Sequence, residues 1–371
     1  MLVAVVGAGI MGASLALHFA ANEMTVLLID SAVPGSGATG SSFACLNFFD
    51  GATSDYMKFR SEALYYHMEL ARPIGLADAI RATGTLRWST ESTQHKTLLR
   101  VASMAEGLGR TVEYLSRNDA LKLEPNLSIV GSPEVIVRVP QEGWLDSVHF
   151  TKRMIDAAVA TGLAHCVSEK CTMIEPLNQG AVVWTDRTCY LVDAVVLASG
   201  IGINALLKDL ACAPLVHESP EVLTQMPYFG PPIEHVVFAN HIRFRANGPS
   251  LIVGNADDPT GVRDSGVELK VARERASLVR GELKEPSFGD SIAVRRGIRP
   301  VPKDGYPIVG RLPGQEHIFI AVTHAGVTLA PYVALLLTTE IAGEGSCGAL
   351  GAFRPERFSL PIVQNKMPRI Q

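Results

Sequence analysis

The feature that most constrains this chain lies at its start. Gly7, Gly9 and Gly12 form a GxGxxG pattern between the apolar run Leu2–Val6 and a helix expected over residues 14–21. An uninterrupted apolar run suits a strand covered on both faces. The first glycine permits a tight turn, the second lets backbone approach a diphosphate, and the third lets helix and strand pack closely. The helix amino terminus then favours the negative charge, which brings Ile10 and Met11 into the expected contact set. A second apolar strand is expected over Thr25–Ile29, ending at Asp30 and Ser31. A carboxylate there accepts hydrogen bonds from ribose hydroxyls and repels a 2′-phosphate. The unit predicts a βαβ dinucleotide site without separating NAD from FAD. The alternative is that the glycines serve only turns and that Asp30 is a cap.

Length and composition bound the rest. A chain of 371 residues predicts two domains at roughly 150 residues each with insertions. Its 47% hydrophobic and 19% charged residues suit a large core and exclude a disordered or solvating chain. A net charge of −4 offers nucleic acid no electrostatic footprint. Six cysteines without a CxxC pair indicate neither a disulfide scaffold nor a zinc site, and a reducing, cytoplasmic setting is expected. No metal is expected. The apolar start resembles a leader, but no Lys or Arg precedes Lys58, and no apolar run reaches the ~18 residues of a membrane span.

Along the chain, a loop of small residues is expected over 33–42 and a helix over 56–75. Further helices are expected over 98–109, 118–123 and 147–162, with strands over 84–89 and 135–139. Residues 189–198 read as one strand leading to Ala198, Ser199 and Gly200. Short strands between Pro and Gly turns over 214–259 indicate an antiparallel sheet. A buried strand over Ile318–Val322 and a helix over 329–342 close the pattern. The expected fold is mixed α/β: a Rossmann-like nucleotide domain (1–80, 140–210 and 295–371) interleaved with an antiparallel-sheet substrate domain (81–139 and 211–294).

Two carboxy-terminal blocks are the most specific. One runs from Arg295 to Gly310 and contains Gly297-Ile298-Arg299-Pro300 and Lys303-Asp304-Gly305-Tyr306-Pro307. The other is His324-Ala325-Gly326-Val327-Thr328-Leu329-Ala330-Pro331. With the amino-terminal unit, they resemble the FAD-dependent D-amino-acid oxidase, glycine oxidase and sarcosine oxidase superfamily, most nearly its glycine oxidase-like members. The likeness includes Ala198-Ser199-Gly200, a strand end that faces the flavin in that family.

The resemblance implies an FAD-dependent oxidoreductase of a small amine or amino acid, transferring hydride to flavin N5 and leaving an imine for water to hydrolyse. FAD is implied along the glycine loop and Asp30 and at Cys171 and Ala198–Gly200; the hydroxyls and unhindered amides of Thr39, Gly40, Ser41 and Ser42 either wrap its pyrophosphate or ribityl end or belong to a flexible Gly/Ser linker. It also implies contacts at Arg299 and at Gly326, Val327 and Thr328, whose amides precede a helix and point toward the flavin pyrimidine. Arg299 is implied as the carboxylate fork, because guanidinium presents two parallel donors. By local sequence alone, Arg299 reads equally as a structural ion pair, and His324 as a site-lining group or a satisfied structural imidazole.

The sequence departs from the family in three places. The segment 241–245 replaces a substrate-contacting Tyr, and alternation places His241, Arg243 and Arg245 on one face, either lining a pocket for a polar or acidic substrate or facing solvent. No Cys lies near the Arg–Pro block, Cys347 being the nearest, so noncovalent FAD is expected. The strand around 251–254 carries no Lys, which leaves open a non-oxygen acceptor. That keeps alive a catalytic subunit of an opine-type multi-subunit dehydrogenase, a homo-oligomer or partner subunit, and a non-catalytic nucleotide-binding module.

Overall fold

The computed structural model of the chain describes residues 1–210, 212–255, 265–289 and 291–358. β1 (Leu2–Val6), α1 (Ile10–Ala21) and β2 (Thr25–Ile29) form the expected opening unit. β1 is central in a six-stranded sheet of order Ile308–Arg311, Ile318–Val322, Ala194–Leu197, β1, β2, Ala164–Val167. Its pairings are parallel except for the first, which is antiparallel. From Ile10 through Ala20 every residue of α1 is buried. A helix apolar on all sides must be enclosed, and α1 lies against the sheet and the helices Ser147–Ala160 and Gly326–Ile341. The opposite sheet face is covered by Ile203–Asp209 and by a three-stranded antiparallel meander of Cys171–Pro176, Ala181–Thr185 and Cys189–Val192.

An eight-stranded sheet follows the order Ala293–Pro302, Val216–Pro227, Ser250–Asn255, Ile242–Asn247, Val236–Ala239, Thr85–Trp88, Ile136–Val139, Glu113–Leu115. It is antiparallel except between Val236–Ala239 and Thr85–Trp88, which run parallel. The helix Ser265–Gly281 packs on it. The strand carrying Arg299 crosses position 295 and pairs along its length with Val216–Pro227, so this segment is built into the large sheet.

Several expectations are corrected. Residues 189–198 are two strands in two sheets, divided at Asp193, whose Oδ2 accepts from Leu2 N at 2.6 Å. The strands expected over 214–259 include one of 12 residues, Val216–Pro227, and residue 259 lies outside the described residues. Gly326, Val327 and Thr328 are the first turn of the terminal helix rather than a preceding loop, and Pro331 lies inside that helix. Pro331 has no N–H to give to the carbonyl of Val327, four residues earlier. His67 Nε2 supplies the missing donor, at 2.8 Å from Val327 O and 3.0 Å from Thr328 O.

Candidate active site

A cavity of about 720 Å³ opens where β1, β2, Ala194–Leu197 and Ile318–Val322 end. Open parallel sheets present ligand crevices at this edge. Its wall includes Gly7, Gly9, Ile10, Met11, Asp30, Ser31, Thr39, Ser42, Cys171, Ala198, Ser199, Gly200, Arg299, His324, Gly326 and Val327. Thus the opening glycine loop, the middle strand end and, more than 280 residues after that loop, both carboxy-terminal blocks converge on one space.

The loop geometry explains its composition. Gly7 has φ +109°, and a Cβ there would lie 2.6 Å from the Ala198 carbonyl oxygen. The helix begins at Gly9 without a side-chain cap or an acidic residue in its first turn, so its positive end is left for a ligand. Thr39 Oγ1 accepts from Ile10 N at 3.1 Å, joining the small-residue loop to that helix start. Asp30 Oδ2 accepts from Ala8 N at 2.7 Å and Oδ1 from Ala32 N at 2.9 Å. A carboxylate has further lone pairs, so these bonds brace Asp30 and leave it able to accept ribose hydroxyls.

Four expected cofactor residues stand off the wall. Gly12 lies behind the loop, packed on Gly7. Gly40 and Ser41 shape the turn, where a Cβ on Gly40 would meet the Gly35 carbonyl oxygen at 2.7 Å and Ser41 packs on Gly297. Thr328 is buried and turned inward, its Oγ1 lying 3.3 Å from both Cys45 O and Asn47 N. The terminal helix also opens on the cavity without a side-chain cap or an acidic residue in its first turn.

At the other end stands an ionic cluster. Arg299 Nη2 donates to Ser219 Oγ at 3.3 Å, and its Nε lies 3.6 Å from Glu221 Oε2. Glu221, on the cavity wall, also pairs through Oε1 with Arg243. Arg87 bridges Asp50 and the fully buried Glu142, at 2.9 and 3.0 Å. Arg60 is buried against Asn47 O, with Nη2 at 2.9 Å. Desolvation opposes the Asp50 charge, but Arg87, Arg60 and Arg243 outweigh it and hold the carboxyl below its usual range. Burial, reinforced by Arg60 and Arg299, pushes the His324 imidazole down to about 3, so it is neutral.

His241 is not part of this cluster. It sits exposed in the turn between Val236–Ala239 and Ile242–Asn247, where Asn240 has φ +51°, and its Nδ1 meets Gln94. The expected alternation fails for it because the strand begins only at Ile242. Arg243 and Arg245 do share a face, both lying over the Phe43 ring. Arg243 stands behind Glu221 rather than on the cavity wall. Sequence reasoning missed Glu221, Ser219, Asp50 and Arg60. None belongs to a motif: strand pairing sets Ser219 and Glu221 beside Arg299, whereas Asp50 comes from a loop and Arg60 from the helix Ser54–Ala71.

Fold and cavity together define a dinucleotide-binding α/β protein. The chain belongs to the FAD dependent oxidoreductase family, whose match spans residues 3–340. It is accordingly a flavoenzyme of the amino-acid oxidase and dehydrogenase type. It is 25% identical over 374 residues to a glycine oxidase of Geobacillus kaustophilus (strain HTA426), covering 95% of each chain. The crystal structure of glycine oxidase from Geobacillus kaustophilus superposes with a TM-score of 0.86 at 22% identity, over 96% of this chain and 98% of that one. One subunit of the opine oxidase of Rhizobium meliloti is 21% identical, over 95% of this chain and 96% of its own.

The residues present fit FAD. Two helix amino termini free of acidic residues open on one cavity, and the glycine cradle excludes side chains where a diphosphate approaches. Ser199 Oγ on the wall is buried without a hydrogen-bond partner. Glycine loop, Asp30, the small-residue loop and the Gly326 helix start would hold the cofactor noncovalently. Among the described residues no helix is long and apolar enough to cross a membrane.

Proposed function

We propose that this enzyme oxidises the C–N bond of a small amine or amino acid bearing a carboxylate, with an imine as the immediate product. The observation that carries this reading is the single cavity running from the Gly7–Gly12 loop to Arg299. FAD, when bound, would supply the two-electron acceptor for the hydride lost from the substrate carbon. Arg299 presents its guanidinium to the carboxylate, which fixes the α-carbon relative to the cofactor. His324, neutral on the cavity wall, contributes no charge of its own, so the clamp rests on the arginine. Water then hydrolyses the imine to a carbonyl compound and an amine or ammonia.

The division of labour follows the two large sheets. Residues 1–80, 140–210 and 295–371 are proposed to carry FAD, and 81–139 and 211–294 the substrate; the pairing of Ala293–Pro302 favours counting that strand with the second unit. A cytoplasmic location belongs to the same reading, as does assembly into a homo-oligomer or with a partner protein. Product analysis of the purified holoenzyme tests the chemistry. A carbonyl product should form in step with acceptor consumed, and none from any carboxylate-bearing amine would contradict it. A dehydrogenase using a non-oxygen acceptor is the second reading, favoured by a buried Leu251–Val253 stretch that places no Lys in the sheet. It requires dye reduction to outrun oxygen uptake.

A further inference from the structure

Glu221 holds two guanidinium groups at once, Arg299 beside Oε2 and Arg243 on Oε1. Arg299 and Glu221 line the cavity and Arg243 stands behind Glu221, so the order of charge running inward from the wall is positive, negative, positive. Both arginines keep unused donors: Arg299 Nε and Arg243 Nε are buried without a hydrogen-bond partner. Arg243 occupies a built slot. It faces Gly254 on the adjoining strand, where a Cβ would come within 3.0 Å of its Nε, and its guanidinium lies over Phe43. It is not sealed away, since 17% of its side chain is accessible against 7% for Glu221.

The surrounding charges do not cancel. Among the groups paired around Asp50, Glu142 and Glu221, the cations Arg60, Arg87, Arg243 and Arg299 number four against three anions, with His324 neutral and Arg245 turned away to the carbonyls of Phe43 and Ala246. A zwitterion with one carboxylate would leave the surplus positive charge uncompensated. An ammonium flanked by two carboxylates would cancel it. Its charge order is also the inverse of the protein's, with the nitrogen against Glu221 and a carboxylate toward each arginine.

From this juxtaposition we propose that Arg243 forms a second carboxylate subsite, so that the substrate is an amino dicarboxylic acid whose nitrogen lies between its carboxylates. The proposal rests on the reading of Arg299 as the first carboxylate clamp. Arg243 is then a specificity-determining residue, selecting the dicarboxylate without taking part in bond cleavage.

Calorimetric titration of the holoenzyme with glutarate and with butyrate, neither of which has an amine to oxidise, tests it. Glutarate should bind at least about tenfold tighter than butyrate, as expected for one additional charge-assisted contact. Arg243→Met should abolish that difference, glutarate then binding no tighter than butyrate. If Arg243→Met proves unstable, Arg243→Met combined with Glu221→Met removes both partners and reads the same difference. Equal affinities in the unaltered enzyme, or a glutarate preference surviving the Arg243 change, would overturn the proposal. Arg299→Met separates the two readings: unchanged butyrate binding there removes the first clamp, whatever the Arg243 result.

Discussion

A Cβ placed on Gly12 would lie 1.8 Å from the carbonyl oxygen of Gly7. The third glycine of the loop therefore sets how closely α1 crosses the end of β1, although it touches no part of the cavity. Gly12→Ala must push helix and strand apart, an overpacking cost of about 1–3 kcal/mol or more. The expected result is a lower melting temperature together with a strongly reduced flavin-to-protein ratio. Wild-type flavin content in that variant would show that the helix start does not support the diphosphate.

Arg299→Met leaves the FAD wall otherwise intact, so purified protein should retain its yellow cofactor. For a carboxylate substrate kcat/KM should fall by an amount on the order of 2–5 kcal/mol in transition-state binding. The loss should be much smaller for an amine lacking a carboxylate. Equal losses on both substrates would place the role of Arg299 in structure instead of recognition.

His67 and Pro331 form a compensating pair, because the imidazole satisfies the carbonyl that proline leaves without a helical donor. His67→Leu should destabilise the protein by roughly 1–3 kcal/mol through the orphaned Val327 oxygen and disturb the helix start on the cavity. Adding Pro331→Ala restores an N–H at the right place. The double variant should recover most of the loss in urea denaturation, and additivity of the two changes would refute the pairing.

Acid sensitivity should follow from buried imidazoles. Burial, partly offset by the carbonyls of Val327 and Thr328, pushes His67 down from 6.5 to about 4, and His324 falls to about 3. Between those values and 6.5 the unfolded chain binds protons that the folded chain does not. Stability is therefore fully present above about pH 6.5 and is lost as pH falls toward 4 and then 3. The urea midpoint should drop between pH 7.5 and pH 5, and His324→Gln should flatten that dependence. An unchanged slope would mean that His324 titrates normally in the folded enzyme.

The parts legible in sequence were those governed by local rules. β1 and Ile318–Val322 are apolar throughout because both faces are covered, and the glycine spacing located the loop, although the helix begins at Ile10, four residues before the expected Ser14. The strands between Ala164 and Thr185 were not foreseen, since Cys171–Pro176 exposes most of both faces and lacks clean alternation. The helix Ser265–Gly281 was also missed. At the site, Arg299, His324 and Gly326 were found through local motifs, whereas Glu221 and Asp50 acquire meaning only from arginines far away in the chain. His241 was misplaced by a single residue of strand register, which moved it from a face to a turn.

The central claim is that a carboxylate-bearing amine, held by Arg299, delivers electrons to FAD in the same cavity. Anaerobic mixing of the holoenzyme with L- and D-amino acids, N-methyl amino acids and amino dicarboxylates, followed through the flavin absorbance, tests it most directly. The account predicts full bleaching by at least one of them and its near-abolition in Arg299→Met. A flavin that dithionite reduces but none of these amines bleaches would contradict it.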